Sequence, residues 1–216
     1  MTEKKYSHLV KTAKIREDTE GLYSNPRIWM EGDDLEGYEA NFSYGFIKEE
    51  GKVHPKEGSV VHPYPECLFF AGINLDDILD LGAEISIVLG EEGEKHTFDK
   101  PSVVVIPAGM PHGPVTVENI DRPIAHYHVG LDPVYQAEKV EIDSVSSGGS
   151  NHGHLIKDLK NHVDDEFKEI MPGFADAIDD RGVMHPRELE MLGPGNADSL
   201  VWMLGKDLEG LDVNLP

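Results

Sequence analysis

The stretch Val60-Val61-His62-Pro63-Tyr64-Pro65-Glu66-Cys67-Leu68-Phe69-Phe70-Ala71-Gly72 decides how this chain is read, and Pro107-Ala108-Gly109-Met110-Pro111-His112 answers it further along. Side chains alternate between the two faces of a strand. His62, Tyr64, Glu66 and Leu68 are therefore expected on one side, unless Pro63 or Pro65 introduces a bulge. Pro107 and Gly109 shape a sharp turn that delivers His112. Two imidazoles and a carboxylate form a mixed nitrogen and oxygen donor set suited to a divalent metal. The alternative is a metal-free barrel in which Glu66 only hydrogen-bonds the histidines. A buried glutamate without a cationic partner is costly, which weighs against it.

Working outward, residues 53–130 read as short strands separated by Gly, Pro, Asn and Asp. The clearest lie at 67–70, 84–89, 95–98, 102–106, 115–117 and 124–129, with a hairpin turn at Glu91-Glu92-Gly93. An earlier strand alternates Phe42, Tyr44 and Phe46 with Ser43, Gly45 and Ile47. Many short strands without alternating long helices predict a sandwich or barrel. Residues 1–25 read as a polar N-terminal arm with a short helix near 7–16, and residues 26–143 as the barrel. A Ser-Gly linker occupies 144–153. Beyond it, Leu155, Leu159, Val163, Phe167 and Ile170 recur at helical spacing, which predicts an amphipathic helix over 154–171.

The last stretch, Trp202 to Leu215, repeats the segment from Trp29 to Phe42 at eight of fourteen positions. Either the chain is the front part of a duplicated protein, or the copy is a structural strand lying along a sheet as its twin does. Residues 154–216 thus read as a helical extension followed by this repeat.

At this point the residues resemble the cupin superfamily. Pro107, Gly109 and His112 fit its second motif, Pro-x-Gly-x-x-His, at every defined position. Gly58, His62, Glu66 and Gly72 fit the start, second histidine, glutamate and closing glycine of its first motif, but Val60 stands where the first histidine belongs. The resemblance covers residues 42–131. It implies a mainly β, jelly-roll barrel whose motif histidines and glutamate point into the mouth. It also implies one divalent transition metal (Fe, Mn, Ni or Zn) held by His62, Glu66 and His112, with one of the family's four usual ligands missing.

The remaining polar residues are weighed against blander roles. His126 and His128 share one face of the last strand. If that face is inward, either one replaces the missing ligand or serves as a catalytic base. If it is outward, both are surface histidines. His54 is a further candidate for the fourth position, beside water. Tyr44 and Tyr64 are candidate substrate contacts through their hydroxyls, with aromatic barrel filling as the alternative. Cys67 is expected to be a buried, inert thiol.

Composition bounds the partners. Acidic residues outnumber basic ones 41 to 19, for a net charge of -22. Such a surface repels phosphate backbones and anionic lipid, so neither nucleic acid nor membrane is an expected partner. A lone cysteine fits a reducing cytoplasm. Phosphate-loop, nucleophile-elbow and dinucleotide fingerprints are absent from the sequence. The resemblance implies a metal-binding protein acting on a small organic molecule, as a dioxygenase, isomerase or lyase, and a homodimer is expected. The alternative is a module that binds or senses a small ligand without turnover.

Overall fold

A computed structural model describes residues 5–16, 27–142, 144–147, 151–159 and 208–211. The chain divides into two units, Met1–Asp158 and Leu159–Pro216. Of the second, the described part past residue 159 is a turn beginning at Leu208. Most of the predicted helix and most of the terminal repeat lie outside the described residues.

In the first unit the strands, in chain order, begin with β1 (Ile15–Arg16), β2 (Arg27–Met30), β3 (Asn41–Ile47), β4 (Gly51–His54) and β5 (Ser59–Val61). Then come β6 (Glu66–Gly72), β7 (Ala83–Leu89), β8 (Glu94–Phe98), β9 (Ser102–Ile106) and β10 (His112–Ile120). The series closes with β11 (Ile124–Gly130), β12 (Glu138–Val140), β13 (Ser146–Ser147) and β14 (Ile156–Asp158). One sheet has the order β1-β2-β3-β11-β6-β9-β14. The other runs β12-β5-β10-β7-β8-β13, with β4 added on β10. Nearly all pairs are antiparallel, and the chain crosses repeatedly between sheets. This is the mainly β, cupin-like jelly roll that the motifs imply.

The core lies between the sheets. From one side come Leu68, Phe70, Val104, Ile106 and Ile124; from the other come Ile85, Ile87, Leu89, Val115 and Val117. Spacing by two along each strand sends these residues to one face. Full burial of each such side chain is worth about 1.5–3 kcal/mol. In β9 the unbroken run Ser102-Val103-Val104-Val105-Ile106 is buried at every position, as a strand covered on both faces requires.

Three departures from the sequence reading have local causes. The expected helix near 7–16 is a single 3-10 turn at Ser7–Leu9, followed by the edge strand β1. At the other end, Gly153–Leu155 is a 3-10 turn, and Ile156–Asp158 pairs with β9 instead of continuing as a helix. An edge strand beside β9 offers Ile156 a place against the core, which outweighs helical propensity. Within the expected linker, Ser146 and Ser147 pair in parallel with Glu94 and Lys95.

Two placements bring the site together. Glu66 opens β6 in the first sheet and His112 opens β10 in the second, so the carboxylate and the imidazole start from facing sheets. His62 lies in the crossing between β5 and β6, where Pro63 and Pro65 interrupt pairing. Burial still alternates through this crossing: His62, Tyr64 and Glu66 are buried while Pro63 is exposed.

Candidate metal centre

Three imidazoles converge on the carboxylate of Glu66. His112 Nε2 lies 2.7 Å from Oε1, His128 Nε2 2.7 Å from Oε2, and His62 Nε2 3.4 Å from Oε2. All four residues are buried, and Glu66 is only 1% exposed. Donor atoms of His62, Glu66 and His112 lie within 4.8 Å of one another, close enough for one ion to be shared.

The backbone fixes which ring nitrogen faces inward. His62 Nδ1–H donates to the Gln136 carbonyl at 2.5 Å, and His112 Nδ1–H donates to the Met110 carbonyl at 3.0 Å. A carbonyl only accepts, so each Nδ1 carries a proton, and in the neutral ring each Nε2 presents its lone pair to the centre. Outer hydrogen bonds of this kind orient histidine ligands in metal sites. The turn is tied to the first motif as well. Gly109, at φ +79°, donates its N–H to the His62 carbonyl at 2.8 Å, a conformation that a side chain would strain.

Glu66 Oε1 shows what the centre lacks. It is buried and has no aligned hydrogen-bond donor, although His112 Nε2 is 2.7 Å away. The close approach is therefore an ion-pair contact without ideal hydrogen-bond alignment. A buried carboxylate ringed by three imidazoles needs positive charge beside it, supplied by a proton on a ring or by a bound cation. The residues therefore fit a divalent metal.

Charge states follow from burial and neighbours. Burial alone would raise the Glu66 carboxyl, but the charges and hydrogen bonds of His112 and His128 outweigh it and hold it well below the usual carboxylate range. For His112 burial works downward and Glu66 upward, and Glu66 wins. His62 is lowered, chiefly by burial. His126 is lowered to about 3, again chiefly by burial, and its Nδ1–H donates to the Phe69 carbonyl at 2.7 Å. Cys67 is buried, and burial with Glu66 nearby pushes its thiol up to about 12.

His126 and His128 face inward, 1% and 5% exposed, and both line the cavity beside Glu66. Register explains the room for them. His126 sits opposite Gly45 and His128 opposite Ser43 across β11 and β3, so each large ring faces a small residue. Val60 is the direct cross-strand partner of His112. The site's third imidazole thus comes from β11 in the opposite sheet.

The two tyrosines part company. Tyr64 is buried; its ring stacks on His62 at 5.4 Å and its hydroxyl accepts the Gln136 N–H at 3.1 Å. Its hydroxyl is thereby engaged in holding the segment that also holds His62. Tyr44 lies on the outer face of β3, stacked on Tyr127 at 5.3 Å. The face turned inward carries Ser43 and Gly45, because His126 and His128 need the space.

Tyr135, Trp29 and Arg27 line the cavity without having been singled out in the sequence. Tyr135 packs against His62 at 5.3 Å, His128 at 5.7 Å and Trp29 at 4.8 Å. Its hydroxyl lies 3.4 Å from His54 Nε2, and its N–H donates to Glu31 at 3.2 Å. His54 lines the same cavity beside Tyr135. No periodicity marks Tyr135, which sits in the loop after β11. Arg27 and Trp29 carried one faint signal, their spacing by two just ahead of a strand. The cavity is narrow, about 30 Å³, which holds an ion with one or two waters.

Neither a protein-family model nor a curated protein sequence matches the chain. Among solved structures it is similar to oxalate decarboxylase from Bacillus subtilis, at 10% identity and a TM-score of 0.40, over 59% of this chain and 30% of that one. It is also similar to the Lactobacillus farciminis oxalate decarboxylase formate complex, at 15% identity and a TM-score of 0.41, over 59% and 34%. A structure concerned with the Mn(II) centers of the Bacillus subtilis enzyme aligns at 15% identity and a TM-score of 0.38, over 56% and 30%. The chain thus spans about a third of the length of these structures. Likeness at this level decides nothing about the site, whose reading rests on the side chains.

Proposed function

We propose that this chain is a metal-dependent enzyme acting on a small organic molecule, with one divalent transition metal held by His62, Glu66 and His112 and with His128 as the fourth donor. The observation that carries the reading is the buried convergence of His62, Glu66 and His112, whose donor atoms lie within 4.8 Å of one another. Mixed imidazole and carboxylate donors suit Fe, Mn, Ni or Zn. Such an ion, when bound, supplies Lewis acidity to a ligand oxygen or activates water or dioxygen. The chain's own residues do the rest. Glu66 stays ionised at neutral pH. His126 stays neutral and acts as an inward hydrogen-bond acceptor, a weaker base than an ordinary histidine. Tyr64 and Tyr135 fix the His62 ring, and Tyr135 restricts water.

Dioxygenase, isomerase and lyase chemistry all remain compatible with this donor set, because the fold alone does not choose among them. A homodimer and a cytoplasmic location belong to the same reading. The first is supported by the exposed Phe46 and Tyr127 on the outer face of the first sheet, and the second by the single buried cysteine. Among the described residues no helix is long and apolar enough to cross a membrane.

Elemental analysis of protein purified without chelator, beside His112→Ala, tests the proposal. Near-stoichiometric metal in the parent and less than about a tenth of that in the variant is the expected result. A metal-free parent that gains no metal on adding Fe, Mn, Ni or Zn would instead favour ligand capture without turnover.

A further inference from the structure

We propose that a second pocket, across the His62 main chain from the metal centre, is an effector site for a small organic cation whose binding steadies His62. Binding of the cation stands on the pocket alone, and its effect rests on the reading of His62 as a metal ligand.

Alternation along β5 places the pocket. Val60 is buried and pairs with His112, so Val61, half-buried, turns to the opposite face. The β12–β5 register sets Glu138 opposite Val61, and the two side chains share that outer face. Just past β5 the His62 ring is buried, while Pro63 is exposed. Val61, Pro63 and Ala137 supply the apolar walls of a pocket of about 320 Å³. The chamber at Glu66 has about 30 Å³. Sites for small organic molecules begin at about 300 Å³, so the outer pocket has the size for one and the inner chamber does not.

The polar groups select the ligand. Glu138 is the one charged residue among the carboxylates and bases that lines the pocket, and no lysine or arginine does. It is exposed, and its carboxylate enters no ion pair among the described residues. Gln136 uses its main chain in hydrogen bonds, and its exposed side-chain amide remains for a ligand. A net charge of -22 on the chain favours cations over anions at such a surface. An ammonium group on a short apolar body matches this set. It donates to the Glu138 carboxylate and the Gln136 amide oxygen while its body packs on the walls.

The same pocket borders the groups that hold His62. The Gln136 carbonyl accepts the His62 Nδ1–H at 2.5 Å, and the Gln136 N–H donates to the Tyr64 hydroxyl at 3.1 Å. Gly109, also at the pocket, donates its N–H to the His62 carbonyl at 2.8 Å. A molecule filling the pocket packs against both of these partners and restricts their motion. Ordering already supplied by one ligand is ordering the other need not supply, so cation and metal reinforce one another. By linkage each raises the affinity of the other by the same factor.

The test uses the full chain, isotope-labelled for amide NMR, and three probes of one shape: benzylammonium, benzyl alcohol and benzoate. Shifts of the Gly109, Gln136 and Ala137 amides report occupancy in the metal-free protein. Benzylammonium is expected to move them and to bind at least about threefold tighter than benzyl alcohol, with benzoate weakest. Glu138→Gln should remove the preference for the ammonium. Ala137→Phe, which fills the pocket, should abolish binding of all three. The absence of a saturable shift at these amides, or binding that survives Ala137→Phe, overturns the site. Equal affinity for benzylammonium and benzyl alcohol overturns the cation assignment, as does an undiminished preference in Glu138→Gln.

The effect on His62 is read separately. Chelator competition should show Zn(II) held at least about threefold tighter at saturating benzylammonium, with the same factor for benzylammonium in the Zn(II)-loaded protein. Unchanged affinities overturn the effector role. If the parent takes up no Zn(II), the metal reading fails on its own, and hydrogen exchange at the His62 Nδ1–H decides. Slowing by about threefold or more with benzylammonium supports the steadying of His62, and an unchanged rate overturns it.

Discussion

His128 Nε2 lies 2.7 Å from Glu66 Oε2, with the two residues on neighbouring strands and two residues out of register. Glu66 pairs with Gly130 and His128 with Leu68, so the contact is the diagonal one, within reach of long side chains. Gly130, having no side chain, leaves room for the Asn41 and Tyr64 side chains, which a Cβ there would meet at 2.8 Å. A third imidazole thus reaches the carboxylate from the sheet that carries it. Replacing His128 by Asn should weaken metal binding about 10- to 100-fold while leaving the fold intact, whereas Glu66→Gln or His112→Ala should abolish stoichiometric binding. Metal titration followed by elemental analysis of the desalted variants checks the ranking. Equal occupancy in parent and His128→Asn would remove His128 from the donor set.

Metal removal should also be visible as lost stability. A ligand that binds only the folded state at a hundred times its dissociation constant adds about 2.7 kcal/mol. For a chain of this length each kcal/mol moves the melting temperature by roughly 2–4 °C. Chelator should therefore lower the melting temperature by about 5–10 °C, and re-addition of metal should restore it. The His112→Ala variant should melt at one temperature with or without chelator, as calorimetry would show.

His126 gives the chain a sign-definite pH dependence. Burial depresses its folded-state value from the ordinary 6.5 to about 3. Between those values the unfolded chain holds a proton on this residue and the folded chain does not, so stability falls as pH drops below about 6.5 and the loss is complete near 3. At 1.36 kcal/mol per unit, lowering the pH from about 6.5 to about 4.5 should cost about 2.7 kcal/mol through this residue. His126→Gln should flatten the urea midpoint against pH over that interval relative to the parent. Parallel profiles for the two proteins would show that the ring protonates in place.

The turn Pro107-Ala108-Gly109 and the spacing of His62 and Glu66 were legible because both are local. A φ of +79° at Gly109 and a period of two in the side chains are written within a few residues. Which face of β3 points inward was not legible from its own sequence. Phe42, Tyr44 and Phe46 make the more apolar face, and a hydrophobic pattern alone turns that face to the core. The deciding fact is the register with β11, which sets Ser43 and Gly45 against two large inward rings. That information sits about eighty positions away along the chain and becomes readable only once the strands are paired. Arg27 and Tyr135 escaped for the same reason: one is on a four-residue strand, the other in a loop, and their meeting at the cavity is purely tertiary.

Tyr135 should govern exchange at the centre. Its ring packs on both His62 and His128 and its hydroxyl approaches His54, so it covers two of the imidazoles. Tyr135→Ala should speed chelator-driven loss of metal by about tenfold or more, with a smaller effect on equilibrium affinity. Tyr135→Phe keeps the ring and should behave as the parent. Stopped-flow chelation with a chromogenic chelator separates these outcomes, and identical rates in all three proteins would place the exchange route elsewhere.

Val60 offers a stricter test of how the centre is completed. It is the direct cross-strand partner of His112, and it is 2% exposed, so its side chain shares the inward face with that ligand. The motif would place a histidine there, in the second sheet, whereas β11 brings His128 to the carboxylate from the first sheet, which also carries Glu66. If one imidazole substitutes for the other, introducing Val60→His into His128→Asn should recover at least about tenfold of the lost metal affinity. In the parent, the same substitution should add little affinity, because the fourth donor is already present. It should lower stability by about 1–3 kcal/mol, since a polar ring then replaces a packed apolar side chain. Rescue of the double variant together with a neutral effect on parent affinity would identify one coordination position reached from two strands. Strong tightening in the parent would mean that His128 does not occupy it.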